Sequence, residues 1–218
     1  YNNAGLYMQY CNNPSTNPGI IANNMISVTN SNAATTYGLY TGYSSNTDYY
    51  YNSILITNTT TSSYGFYYNY QYSGTKDSII NNAVYNSGGG QAMYINNNTG
   101  SVRTMDYNDW YATGTNLGTY VSGSGTIPYT TLANWQTGTT KDKNSISLNP
   151  GFVSNNKLHI KSFIMKKARK ISSITTDIDG QIRSNLPCIG ADEFTPTLQY
   201  DMSINYFISP VSGGCGGQ

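Results

Sequence analysis

A block about one β-helical coil long recurs three times in the first hundred residues, and no other feature constrains the fold as strongly. Leu39, Phe66 and Met93 lie 27 apart within Tyr37-Gly38-Leu39-Tyr40, Tyr64-Gly65-Phe66-Tyr67 and Gln91-Ala92-Met93-Tyr94. Earlier in each block Val28, Ile56 and Val84 lie 28 apart, as do Asn30, Asn58 and Asn86. A fixed period of this length marks a repeat architecture, in which a unit buries its inner face only against its neighbours.

Each block holds short β-runs, such as Met25–Val28, Ser53–Ile56 and the stretch from Ile79 to Tyr85. A polar turn and a second run around Tyr-Gly-aliphatic-Tyr follow. No helical pattern separates the runs, so they cannot build βαβ units and must stack on the equivalent runs of the next block. That predicts a parallel β-solenoid, with coils about 4.8 Å apart and three or four coils spanning about 15–20 Å.

Strand alternation then assigns faces. Leu39, Phe66 and Met93 are expected inward with Tyr37 and Tyr64, leaving Gly38, Gly65 and Ala92 outward with Tyr40, Tyr67 and Tyr94. Val28, Ile56 and Val84 form an expected inner stack. Asn30, Asn58 and Asn86 form an amide ladder at the turn beside it.

From Val102 the repeat degrades; Asp106–Tyr111 reads as one more strand, followed by a polar stretch, Leu132–Trp135 and Asn144-Ser145-Ile146. The division is regular coils over 1–101, final coils and cap over 102–197, and a linker or the start of another β-domain over 198–218, where Gln199–Ile204 alternates as a strand. The chain opens at Tyr1-Asn2-Asn3 as if in mid-coil, so it reads as an internal piece of a longer polypeptide whose targeting signals lie elsewhere.

Only 10% of residues are charged, against roughly 25% in a typical domain. Polarity comes from Asn, Ser, Thr, Gly and 22 tyrosines. A net charge of +1 gives no long-range field for nucleic acid or anionic lipid. No run of 18 apolar residues exists to span a membrane. Cys11, Cys188 and Cys215 lack metal-site spacing, and their odd number leaves at least one without a partner in this chain.

Thr176-Asp177-Ile178-Asp179-Gly180-Gln181-Ile182-Arg183, then Ile189-Gly190-Ala191-Asp192-Glu193-Phe194, resembles the closing motif of bacterial surface β-helix proteins. These are the right-handed parallel β-helix, pectate-lyase-like proteins of Bacteroidetes, often grouped as choice-of-anchor Q. Asp106–Tyr111, Trp135, Asp142–Ser145, Pro150–Val153 and Leu158–Ile160 are similar to the approach to that motif, and Phe163–Arg169 departs from it. The resemblance implies an all-β, right-handed parallel β-helix with an irregular C-terminal cap. It implies secretion, commonly by the type IX system, and kinship with large gliding-motility adhesins. The tail Ser209–Gly216 is similar to the start of the Ig-like modules that follow in such proteins.

Asp177, Asp179, Arg183, Asp192 and Glu193 are expected to form a salt-bridged structural clasp that closes the solenoid. No cofactor is expected; Asp177 and Asp179 are the residues a metal would use if one bound, and Ca²⁺, which requires six to eight oxygens, is the candidate. Lys161, Lys166, Lys167, Arg169 and Lys170 make a basic cluster, either a solvated face or a grip on an acidic polymer. The acids and bases of the coils are sparse: Asp48, Lys76, Asp77, Arg103, Asp106 and Asp109. Asp106 and Asp109, three apart on a strand, would face opposite sides, a poor pair for acid–base catalysis. The lone His159 reads as structural. Asp77-Ser78-Ile79 resembles the short O-glycosylation acceptor of Bacteroidetes surface proteins, with Ser78 in a turn.

An outward column of Tyr40, Tyr67 and Tyr94 could carry sugars on aromatic rings with polar tips, or simply brace the ladder. The expected function is therefore a non-catalytic segment of a secreted or cell-surface adhesin-like protein, a rigid scaffold with a glycan-binding surface. Its partners are polysaccharide and, through the parent protein, the secretion machinery. A polysaccharide lyase or glycoside hydrolase, and a purely structural stalk, are the alternatives.

Overall fold

A computed structural model describes residues 2–29, 35–161 and 165–194. Asn30, Phe163, Cys215 and all of 198–218, with its expected strand and following β-domain, lie outside the described residues.

Four coils contribute three strands each. They are β1 (Asn2–Gln9), β2 (Gly19–Ala22) and β3 (Met25–Val28), then β4 (Thr35–Gly42), β5 (Thr47–Tyr50) and β6 (Ser53–Ile56). The third and fourth coils supply β7 (Ser63–Tyr68), β8 (Asp77–Ile80) and β9 (Ala83–Asn86), then β10 (Gln91–Asn96), β11 (Val102–Asp106) and β12 (Asp109–Ala112). Each strand pairs in parallel with its counterpart one coil away, giving the sheets β1-β4-β7-β10, β2-β5-β8-β11 and β3-β6-β9-β12. The protein is a parallel β-solenoid of about four turns.

The cap begins where β13 (Gly118–Ser122) extends the first sheet in parallel and β14 (Gly125–Tyr129) turns back antiparallel upon it. A helix not expected from the sequence follows, α1 (Leu132–Thr139). Thr131 caps it by accepting the Asn134 amide at 3.2 Å, and the helix buries Trp135 against Tyr120 and Tyr129. The hairpin β15 (Phe152–Ser154) and β16 (Lys157–Ile160) precedes a closing segment over 165–194.

In the core, Leu6, Leu39, Phe66 and Met93 sit in register, one per coil. The expected Val28–Ile56–Val84 stack is only half present. Val28 pairs with Ile56, but Val84 pairs with Ile54, so the inner column is Ile26, Ile54, Val84 and Trp110. The corner from β7 to β8 is longer than that from β4 to β5, which shifts the third coil relative to the second.

Face assignment around the glycines is also corrected. A Cβ on Gly38 would collide with Ile54 Cγ2 and lie 2.5 Å from the Gly65 carbonyl oxygen, so that position faces inward. Leu39 faces inward too, because the pairing skips Gly38 and Gly65 and strict alternation breaks there. Tyr37 and Tyr64 are consequently thrown outward.

The amide ladder exists, but one corner away from where spacing placed it. Asn86 sits over Ile56 and bonds Ser63 and Gln91, while Asn58 bonds Thr36. The ladder runs through Asn24, Asn52, Asn82 and Asn108, with side-chain amide to side-chain oxygen distances of 2.8, 2.9 and 3.1 Å. Each of these asparagines follows a residue in the left-handed region: Asn23 (φ 56°), Tyr51 (52°), Asn81 (64°) and Tyr107 (58°). That conformation makes the bend between the second and third sheets. At Tyr107 it divides Asp106–Tyr111 into two strands where one was expected.

Candidate functional site

The outer face of the first sheet carries an aromatic surface built by in-register stacking. Tyr7, Tyr40, Tyr67 and Tyr94 form a column with ring centroids 4.5, 5.5 and 4.4 Å apart and planes within 10° of parallel. These separations follow from the spacing of neighbouring strands. Beside it Tyr37 stands edge-on to Tyr40 and Tyr67, at 5.2 and 4.8 Å, and Tyr64 edge-on to Tyr94 at 5.8 Å. A third row, Tyr10, Tyr43 and Tyr70, follows past the strand ends with centroids 5.5 and 5.7 Å apart.

This geometry determines what the surface offers. Ring faces within the column are covered by one another and Tyr40 is only 7% exposed, so the accessible part of the surface is the exposed Tyr7 and the half-buried Tyr64, Tyr67 and Tyr94. Burial raises the pKa of Tyr37, Tyr64 and Tyr67, keeping those phenols neutral hydrogen-bonding groups. Asn69 donates to the Tyr40 hydroxyl at 2.9 Å, and Tyr7 donates to Gln9 at 2.7 Å, interleaving amides with the rings. Sequence reasoning found Tyr40, Tyr67 and Tyr94 but missed Tyr7, Tyr10 and Tyr43. The signal was present in Gly5-Leu6-Tyr7, which repeats Gly38-Leu39-Tyr40 one longer step earlier.

The coil acids are drawn into hydrogen bonds. Asp48 accepts the Ser78 amide at 2.8 Å and the Tyr50 hydroxyl at 2.8 Å, and pairs with the half-exposed Arg103 at 3.1 Å. Asp77 is buried between the Thr47 amide and the Tyr68 hydroxyl, and burial lifts its carboxyl to about 6. Asp106 holds Asn144, while Asp109 is buried, accepts the Leu148 amide and has its pKa raised well above the ordinary range by burial. Ser78 lies within β8 and not in a turn; it is 2% exposed, and its hydroxyl accepts from Arg103 at 2.7 Å.

The closing segment gathers the five residues read as a clasp. Arg183 is buried with its guanidinium 3.8 Å above the Tyr51 ring, and donates to Asn23 and to the Gly190 and Ala191 carbonyls. Glu193 pairs with Arg183 at 3.5 Å and with Lys166 at 2.8 Å. Burial works to raise the Glu193 pKa, but Lys166, the Cys188 amide and Ser184 outweigh it and lower the net value. Asp177 gives one oxygen to the Asp179 and Gln181 amides and the other to the Glu193 amide. Asp179 instead faces His159, 2.8 Å away. Of the basic cluster, Lys166 is committed to Glu193 and Lys170 to Asn185, with Lys161, Lys167 and Arg169 exposed. Cys11 and Cys188 are free thiols, and burial pushes Cys188 up to about 11.

Fold and surface together define a parallel β-solenoid with an aromatic outer face and a charged closing segment. No family model, no curated protein and no solved structure matches the chain.

Proposed function

We propose that this chain is a rigid display segment of a secreted or cell-surface adhesin-like protein, whose aromatic face meets a neutral polysaccharide lying along the solenoid axis. In this reading it is allied to the right-handed, pectate-lyase-like β-helix proteins of Bacteroidetes grouped as choice-of-anchor Q, and its parent is exported by the type IX system. The observation that carries the reading is the column of Tyr7, Tyr40, Tyr67 and Tyr94, flanked by Asn69 and Gln9. Apolar edges alternating with phenol and amide groups suit a polyhydroxylated chain, and repetition multiplies weak contacts by avidity.

The carboxylates Asp48, Asp77, Asp106, Asp109 and Asp177 each hold backbone amides, which favours the scaffold reading over a lyase or hydrolase. A glycan array probed with the chain tests the proposal. Retention of at least one neutral glycan is expected, weakened several-fold by Tyr7→Ala with Tyr94→Ala, the two ends of the column. An array with no retained glycan leaves the structural stalk; unsaturated product from polyuronate would install the lyase instead.

A further inference from the structure

The cap brings together three residues that spacing alone does not connect: His159 on β16, Asp179 in the turn of the closing segment, and Asp192 near that segment's far end. One donor atom from each lies within 4.8 Å of the others. His159 Nε2 is 2.8 Å from Asp179 Oδ2, and Asp192 Oδ2 accepts the Ile160 amide at 2.9 Å.

Two further observations concern how these side chains are paired. The second ring nitrogen of His159, Nδ1, is buried and has no hydrogen-bond partner among the described residues. Asp192 is 5% exposed, yet among the described residues no Lys or Arg pairs with it. Its charged neighbours include Asp177 and Asp179 on one side and His159 on the other. A buried carboxylate normally requires a paired charge or a metal.

We propose that His159, Asp179 and Asp192 bind a divalent transition-metal ion of the Zn²⁺ class, tying the β15–β16 hairpin to the closing segment. The donor set selects the ion. One imidazole nitrogen with two carboxylates suits Zn²⁺, which holds such donors at about 2.0–2.2 Å. Ca²⁺ takes six to eight oxygens and has little use for nitrogen. Asp177 stays outside the site because both its oxygens hold backbone amides. Three protein donors leave a fourth position for water or an outside oxygen. The site is independent of the glycan reading.

Calorimetric titration of Zn²⁺ into the EDTA-treated, dialysed full chain tests this, with Ca²⁺ in parallel and Co²⁺ as a spectroscopic probe. One Zn²⁺ per chain is expected, with no Ca²⁺ heat, and Co²⁺ should give d–d bands without thiolate charge-transfer absorption. Asp179→Asn and His159→Gln change partly exposed side chains and should weaken Zn²⁺ binding at least about tenfold, since even outer-shell changes cost about 10–100-fold. Melting of both variants in EDTA should match the parent chain. Absence of Zn²⁺ binding, a thiolate band, or undiminished affinity in both variants would overturn the site.

Discussion

Asn108 donates its side-chain amide to Asp142 Oδ1 at 3.1 Å, and there the asparagine ladder of the solenoid ends on a carboxylate. The same carboxylate accepts the indole N–H of Trp110 at 3.0 Å and of Trp135 at 2.8 Å, and the Ser145 hydroxyl at 2.6 Å. Trp110 belongs to the last complete coil and Trp135 to the capping helix. Asp142 therefore joins the inner column, the polar ladder and the cap at one fully buried point.

Asp142→Ala strips the acceptor from four buried donors. Each buried donor left without an acceptor costs about 1–3 kcal/mol. Urea unfolding should show that loss, with a collapse of the near-ultraviolet signal of the two tryptophans. Asp142→Asn should lose less, because one oxygen remains, but its new amide must face a donor. A loss under about 1 kcal/mol for the alanine variant would remove Asp142 from its anchoring role.

Asp77 predicts an unusual pH profile. Its carboxyl is raised by burial from 3.8 to about 6, so the folded chain retains a proton that the unfolded chain has already released. The contribution is therefore fully present below about pH 4 and declines as pH rises toward 6. At about 1.36 kcal/mol per pKa unit, this group contributes at most about 3 kcal/mol to the change. Denaturation midpoints measured from pH 4 to 7 should fall, and Asp77→Asn should flatten the curve. An unchanged slope in that variant would assign the effect to other groups.

Tyr67 lies between Tyr40 and Tyr94 in the outer column, at 5.5 and 4.4 Å. Tyr67→Phe keeps the ring and should be nearly neutral. Tyr67→Ala removes one ring and with it two stacking contacts, and should cost about 2–4 kcal/mol, from lost aromatic area plus the pair terms. Equal thermal melts for the two variants would mean that the column contributes nothing to stability.

Gly65 faces inward against Val84 and lies beneath Ala92. An added methyl would meet Val84 Cγ1 and come within 2.7 Å of the Ala92 carbonyl oxygen. Gly65→Ala should destabilise by about 1–3 kcal/mol through overpacking. In the next coil Ala92 is itself accommodated and fully buried. The Tyr-Gly-aliphatic-Tyr motif is thus a packing requirement of the middle coils, and a melt of Gly65→Ala at or above the parent would refute that.

The period was legible because Leu39, Phe66 and Met93 stand one per coil on the first sheet. Their equal spacing has a compensating origin. The β7–β8 corner is longer than the β4–β5 corner, while the return to β10 is shorter than the return to β7, and the two changes cancel on that sheet alone. On the third sheet they do not cancel, so Asn24, Asn52, Asn82 and Asn108 step by 28, 30 and 26 residues and escape a search at fixed spacing. The outward tyrosines at 37 and 64 were misplaced because alternation assumes an unbroken pleat, and the pairing skips the glycine beside each. The clasp residues were readable as charged types in one motif. That His159 would join Asp179 and Asp192 depends on how the hairpin folds onto the closing segment, which spacing does not encode.

Asn82 offers the most stringent test of the ladder, because an isosteric change separates shape from hydrogen-bond polarity. Its side-chain oxygen accepts the backbone and side-chain amides of Asn52, at 3.1 and 2.9 Å. Its amide donates to the Tyr49 carbonyl at 3.0 Å and the Ile80 carbonyl at 3.2 Å, and to Asn108 at 3.1 Å. An aspartate would fit the volume yet turn an acceptor toward three acceptors in a fully buried setting. Asn82→Asp should therefore destabilise more at pH 7 than at pH 4, where a protonated carboxyl regains one donor. Asn82→Ala adds no charge but leaves those three acceptors and both Asn52 amides unpaired, at about 1–3 kcal/mol for each group left unsatisfied, and its loss should not vary with pH beyond that of the parent. If aspartate and alanine proved equally tolerated at pH 7, the amide chain would be incidental to the corner, and the left-handed residues before each asparagine would have to make the bend alone.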